Sequence, residues 1–260
     1  MQLQRKQNKI KLFLFYLLWY TKNYRFFFNF IFILQNKLLN FFIYKEKKVT
    51  DKDLENFFTP KKLLNNFYKI DKISNFSKSS IFLKRKKILK KKIKKFGGAA
   101  DINLIYNITL KTKPTKILET GVALGWSSLA FLHAINKNKK GILISIDMPY
   151  MDKESKNYVG LAVPKQYYKM WELYKYPDRV ILNKILKSNF IFDLVHYDSD
   201  KSYYGRYWFY KRIWPYIKKK GLLISDDVKD NYAFFDFARL VNKKYYLIKN
   251  DKKYSGIIIK

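Results

Sequence analysis

The 260-residue chain contains no cysteine. That absence excludes disulfides, thiolate-bound metals and cysteine nucleophiles, and it fits a reducing cytoplasm. Long apolar runs are missing too. Two aromatic-rich stretches, Leu12 to Tyr20 and Phe26 to Leu34, each fall short of the ~18 apolar residues that a membrane span needs. Joined, they would bury Lys22 and Arg25 in mid-membrane. The basic start followed by an apolar run imitates a secretory signal, but no small-residue cleavage site follows Tyr20. Arginine is scarce beside lysine, although the formal charge is +34. Such a charge ordinarily points to nucleic acid or an anionic membrane. Readers of bases and phosphates lean on Arg, however, and the abundant Lys, Asn, Ile, Phe and Tyr all have A/T-rich codons. Codon composition is the simpler source of the charge.

The chain divides into three regions. Residues 1–50 form an aromatic-rich, basic extension in which Lys22, Arg25, Asn29, Asn36 and Asn40 recur at helical spacing and leave a wide apolar face. That face suits peripheral contact with a membrane surface, its cations snorkelling. It equally suits packing on the domain or on a second copy in a homo-oligomer. Residues 51–96 form a helical, basic linker region, with helix starts expected at Thr50-Asp51-Lys52-Asp53 and Thr59-Pro60. The basic run from Lys84 to Lys95 reads as a solvated helix or linker rather than a grip on phosphate or lipid. Gly97-Gly98 marks the entry to the third region, 97–260.

Strand-like and helix-like segments alternate from there. Strands are predicted at 116–120, 141–147, 179–183, 192–198, 221–226, 244–249 and 254–259, and helices at 99–112, 126–137, 163–175, 203–218 and 231–242. This alternation predicts an α/β fold: a Rossmann-like, seven-stranded, mostly parallel sheet with helices on both faces. The last two strands are separated only by Asn250-Asp251-Lys252-Lys253. That gap is too short for a crossover helix, so they close the sheet as an antiparallel hairpin.

The chemistry gathers at strand ends. In Lys116-Ile117-Leu118-Glu119-Thr120-Gly121-Val122-Ala123-Leu124-Gly125-Trp126-Ser127-Ser128, an apolar strand runs into a glycine turn and a helix N-terminus. Such a turn lets the backbone lie against a ligand and presents free N–H groups. Asp147 closes the second strand, where a carboxylate suits the two hydroxyls of a ribose. Asp198 and Asp200 close the fourth and Asp226-Asp227 the fifth; Asp200 is also a candidate cap for the next helix. If those strands are neighbours, Asp198, Asp226 and Asp227 converge as three oxygen ligands for a hard cation such as Mg²⁺. Lys201, just past Asp198, could accept the proton of a hydroxyl that such a cation acidifies.

These segments together resemble class I S-adenosylmethionine-dependent methyltransferases. Glu119-Thr120-Gly121-x-x-x-Gly125-x-Ser127 looks like their first motif, which cradles the methionine end of the cofactor, and Asp147 looks like their ribose-binding acid. The terminal hairpin matches their seven-stranded sheet with one reversed strand. More narrowly, the chain is similar to the bacterial methyltransferase-24 type, the group of macrocin O-methyltransferase-like and cephalosporin-hydroxylase-like proteins. The stretches that carry this are Gly97-Gly98-Ala99, Tyr158 to Pro164, Asp198 to Tyr203 with Trp214-Pro215, and Gly221 to Val228 with Asn231-x-Ala233-Phe234. The resemblance implies an enzyme that O-methylates a sugar-like or other small hydroxylated acceptor, with Mg²⁺ carried over from part of the family. It covers about residues 97–260. Position 201 is often His in such proteins and is Lys here. Many relatives also carry an acid near the adenine after the third strand, whereas Lys184-Ile185-Leu186-Lys187-Ser188 supplies none, leaving backbone and apolar contacts to hold the adenine. A nucleic-acid acceptor is disfavoured because no Asn/Asp-Pro-Pro-Tyr/Phe follows the fourth strand. A nicotinamide oxidoreductase would want Gly-x-Gly-x-x-Gly instead. The remaining alternative is an inactive methyltransferase fold that binds membrane or RNA.

Overall fold

The structure, a computed structural model, describes residues 14–42, 49–70, 72–93, 100–149, 157–188, 190–251 and 253–260. Gly97-Gly98-Ala99 and the end of the basic run, Lys94-Lys95, lie outside these residues. In chain order the strands are β1 (Phe57–Phe58), β2 (Lys116–Thr120), β3 (Ile142–Ile146), β4 (Trp171–Tyr174), β5 (Phe192–Tyr197), β6 (Ile217–Ser225), β7 (Tyr245–Asn250) and β8 (Lys253–Ile259). They form one sheet in the order β1-β7-β8-β6-β5-β2-β3-β4. Its pairings are parallel except the two made by β8, with β6 and with β7. The expected sheet with its closing hairpin is present, widened by the two-residue β1.

The helices are α1 over residues 14–22, α2 (Phe27–Phe42), α3 (Pro60–Tyr68), α4 (Ser80–Ile93), α5 (Ile102–Thr112), α6 (Trp126–Asn138), α7 (Asp178–Lys187), α8 (Tyr203–Ile213) and α9 (Ala233–Leu240). Side chains alternate across each strand, so successive strand residues feed two separate cores. Ile117, Leu143, Leu194 and Leu222 join Leu104, Ile108, Leu129 and Leu132 of α5 and α6. Leu118, Ile144, Val195 and Leu223 join residues of α7, α8 and α9. Each side chain buried in this way contributes ~1.5–3 kcal/mol. Residues 57–93 are more than a linker: Leu63, Leu64, Phe82 and Leu89 of α3 and α4 lie in the α5–α6 core, and β1 pairs with β7.

Two expected elements change type. The segment 179–183 is helix, within α7, because Ile181, Leu182, Ile185 and Leu186 make one buried helical face. The helix expected over 163–175 is a 3₁₀ turn, Lys165–Met170, followed by the edge strand β4. The helix expected over 203–218 stops at Ile213, and a 3₁₀ turn containing Pro215 leads into β6. Proline has no N–H with which to continue the helix.

Candidate active site

Strand order reverses between β2 and β5: the chain runs from β2 out through β3 and β4, then returns to build β5 and β6 on the other side. Ligands of open α/β sheets bind at the carboxyl ends around such a reversal. The register brings Thr120, Ile146, Tyr197 and Ser225 level. Each following residue then bonds back to its neighbouring strand. Gly121 N–H donates to the Ile146 carbonyl (3.0 Å), Asp198 N–H to Thr120 (2.9 Å), Asp226 N–H to Tyr197 (2.9 Å) and Asp147 N–H to Tyr174 (3.1 Å). One rim therefore carries the glycine turn and three of the acids.

Gly121 has φ +81° and Gly125 φ +89°, the left-handed region that glycine enters without penalty. A Cβ on Gly121 would collide with the backbone carbonyl of Asp198, and one on Gly125 would stand 3.0 Å from the Gly160 Cα. Glycine here permits β2 and β5 to meet. The Val122 and Ala123 N–H groups donate to Asp147 Oδ2 at 2.9 and 2.6 Å, which fixes that carboxylate against the turn. Burial pushes its pKa up to about 6, against the pull of those two donors.

Glu119 lies beneath the turn and is fully enclosed. Its Oε2 accepts the Ser128 and Ser145 hydroxyls at 2.5 and 2.7 Å, and Ser145 Oγ accepts Trp171 Nε1–H at 2.8 Å. Ser127 bonds the same carboxyl group. His196 Nδ1 stands 3.9 Å from Glu119 Oε1. Burial raises the Glu119 pKa and lowers that of His196, which moves both toward neutrality. Glu119 and Ser127 thus tie the turn to α6, β3 and β4 instead of facing open space.

Asp198, Asp226 and Asp227 offer oxygens that all lie within 4.8 Å of one another. Asp226 is buried, and its Oδ1 accepts the Ser255 hydroxyl at 2.7 Å. Lys201 Nζ pairs with Asp198 Oδ1 and, at 3.0 Å, with Asp227 Oδ2. Burial raises the Asp198 pKa to about 6 despite the Lys201 charge. Burial also opposes ionisation of Asp227, but Lys201 outweighs it and the pKa falls. Burial would lower the Lys201 pKa, yet Asp198 and Asp227 raise it overall, so the lysine rests as an ammonium ion. Asp200 sits apart from this cluster. Its Oδ1 accepts the Ser202 N–H at 2.9 Å, and Ser202 itself caps α8.

Three features of the site emerge only in the structure, although Asn231 already stands in one of the stretches that carry the resemblance. Arg206 of α8, buried to 1% exposure, donates to the carbonyls of Asp226 (2.8 Å) and Asp227 (2.9 Å) and to Asp230 Oδ2 (3.0 Å). Asn231 Nδ2 donates to the Lys201 carbonyl at 2.9 Å. Together they join the loops after β5 and β6, which carry Asp198, Lys201, Asp226 and Asp227. The third is Asp178, just beyond β4, where burial raises the carboxyl pKa to about 7. A strand expected at 179–183 directs the search for an acid to the residues just after 183, where none stands, whereas directly after the observed edge strand comes Asp178. Pro177 before it, preceding the apolar pairs of α7, was the available signal. Asp147, Asp178 and Ser199 line a cavity of about 400 Å³ whose opposite wall is Asn29, Ile33 and Asn36 of α2.

Residues 118–228 match the family model described as a methyltransferase domain. Among curated proteins no significant sequence match is found. Several solved structures share the fold. An O-methyltransferase from Bacillus cereus, in complex with S-adenosylhomocysteine, aligns with TM-score 0.56 and 11% identity over 77% of this chain and 96% of its own. The O-methyltransferase TomG from Streptomyces achromogenes, involved in tomaymycin synthesis and in complex with S-adenosylmethionine, gives 0.54 and 13% over 76% and 94%. The Podospora anserina methyltransferase PaMTH1, bound to S-adenosylhomocysteine, gives 0.52 and 14% over 70% and 88%. The expected resemblance holds: residues 118–228 match a methyltransferase-domain model, and the sheet with its closing hairpin shares the Rossmann-like fold of these solved methyltransferases.

Proposed function

We propose that the protein is an S-adenosylmethionine-dependent O-methyltransferase acting on a small hydroxylated, sugar-like acceptor with the help of a divalent cation. One observation carries this reading. Six of only 20 acidic residues in a chain of charge +34 gather at one rim: Asp147, Asp178, Asp198, Asp200, Asp226 and Asp227. Such a rim attracts a sulfonium ion and a metal cation, and repels the phosphates of a nucleic acid. The family match speaks against the nicotinamide alternative.

The residues present fit both groups. Three carboxylates within 4.8 Å are the hard oxygen donors that Mg²⁺ takes. The 400 Å³ cavity lies in the range of small-ligand sites, with Asp147 set to accept from ribose hydroxyls and Asp178 from the adenine amino group. Gly121 and Gly125 shape the turn for the methionine end. A divalent cation held by Asp198, Asp226 and Asp227 would lower the pKa of an acceptor hydroxyl, and bound S-adenosylmethionine would supply the activated methyl group. Lys201 is the proton acceptor. It rests as an ammonium between Asp198 and Asp227; a cation that took up those carboxylates would remove the charges that raise its pKa, and the lysine would give its resting proton to solvent before taking that of the acceptor. In methyl transfer the acceptor's O–H proton would pass to Lys201 Nζ while its oxygen takes the methyl group, the thioether being the leaving group.

The test is transfer of labelled methyl to a panel of small polyols and sugars with Mg²⁺ present. Lys201→Met should keep cofactor affinity and lose turnover by about 10²–10⁴-fold. Wild-type turnover in that variant, or no methylated oxygen in any acceptor, contradicts the reading. A cation-independent enzyme is the second reading, favoured by the ammonium that Lys201 already places between Asp198 and Asp227. Activity that survives chelation would select it.

A further inference from the structure

Helix α2 is amphipathic in the inverted sense. Its inward stripe includes Asn29 and Asn36, which line the cavity, whereas its outward stripe is apolar apart from the exposed Gln35. Phe28 is 73% exposed, Leu38 58% and Ile31 46%, and the patch continues onto Leu18 and Tyr24 at 60% and 73%. The helix is firmly seated despite this. Phe26 packs edge-on against Tyr176, Asn29 Nδ2 donates to Met148 Sδ at 3.6 Å, and the Arg179 guanidinium is held over the rings of both Phe32 and Trp208 at 4.2 and 4.3 Å. Rotating α2 to hide its apolar side would break these contacts. A contiguous exposed aromatic face on a seated helix marks an interaction surface.

We infer that this face docks on an anionic lipid bilayer. Charge decides between occupants. Residues 1–45 contain eight Lys and Arg and no Asp or Glu, and Lys22 and Arg25 are exposed beside the apolar patch. A cation-flanked face on a molecule of charge +34 repels a second copy of itself and is drawn to anionic headgroups. Length decides the mode. The 16 residues of α2 extend only about 24 Å at 1.5 Å per residue, and among the described residues no helix is long and apolar enough to cross a membrane. The helix lies in the interface plane, with Phe28, Ile31 and Leu38 among the acyl chains and the cations at headgroup level. Its inner face is a wall of the cavity that holds Asp147 and Asp178, so docking brings that cavity to the membrane surface. Docking itself stands apart from methyl transfer. Its consequence rests on the proposed function: the acceptor is the hydroxylated headgroup of an amphiphile presented by the bilayer.

The test uses the full chain without cofactor, sedimented with phosphatidylcholine vesicles and with vesicles containing about one-third phosphatidylserine. The wild type should pellet with the anionic vesicles at low salt and be released as salt rises. Phe28→Ser/Ile31→Ser/Leu38→Ser should bind at least about tenfold more weakly while keeping the wild-type thermal melt. The single change Phe28→Glu should act in the same direction with the least risk to folding. Equal binding to both vesicle types, or unchanged binding by both variants, overturns the inference. So does a concentration-dependent dimer that these substitutions dissolve.

Discussion

Asp178 carries a consequence of its own environment. Burial lifts its carboxyl pKa to about 7 from the ordinary 3.8, so the folded chain holds this proton more tightly than the unfolded chain does. A raised acid pKa stabilises fully below the unfolded value, and the contribution is lost as pH rises through the folded one. Asp178→Asn should therefore gain stability relative to wild type as pH rises from about 4 to about 7 and gain little more above that, at up to about 1.4 kcal/mol per pH unit. Urea melts of both proteins across that range check this, and a difference that does not vary with pH contradicts it. The same variant should bind S-adenosylmethionine about 10–100-fold more weakly, the size of a lost charge-assisted hydrogen bond. Most rim acids were legible in the sequence because Asp147, Asp198, Asp226 and Asp227 each end an obvious apolar strand. Asp178 was not, because the strand before it, Trp171–Tyr174, has four residues and sits at the sheet edge. So short an edge strand leaves little alternation to read.

Among the elements, α8 positions the rim more than any other, and it does so through one side chain. Arg206 holds the backbones of Asp226 and Asp227 and so sets where those carboxylates stand relative to Lys201. Arg206→Met should destabilise the fold by about 1–3 kcal/mol for each carbonyl left without a donor. Among folded molecules it should weaken Mn²⁺ binding more than cofactor binding. Paired titrations of the two ligands distinguish this from a general loss of structure, which would lower both alike. Arg206→Lys should rescue stability in part and metal affinity little, because one ammonium cannot reproduce the guanidinium fork. Elements whose pattern lies within their own residues, such as β2, β3, β5, α6 and the hairpin of β7 and β8, follow the sequence closely. In α7 the β-branched Val180 and Ile181 imitate a strand, and the helical spacing shows only when Ile185 and Leu186 are counted with Ile181 and Leu182. The pairing of β1 with β7 rests on two residues and depends on tertiary contact alone.

At the scale of the whole molecule, a strongly basic body encloses an acidic rim. The sequence shows the charge but not its segregation, because Asp147, Asp178, Asp198 and Asp227 come from four separate loops that only the sheet topology brings together. Arg206, 20 to 24 residues before Asp226, Asp227 and Asp230 in the chain and buried, is equally silent in a linear reading. The central claim is that this rim and the glycine turn beside it bind S-adenosylmethionine next to a divalent cation. Calorimetric titration of the purified protein with S-adenosylmethionine and S-adenosylhomocysteine, with and without Mg²⁺, tests it most directly. Saturable binding of both ligands, with a Mg²⁺ response that Asp198→Ala abolishes, is the predicted result. No binding of either ligand under any of these conditions would contradict the account.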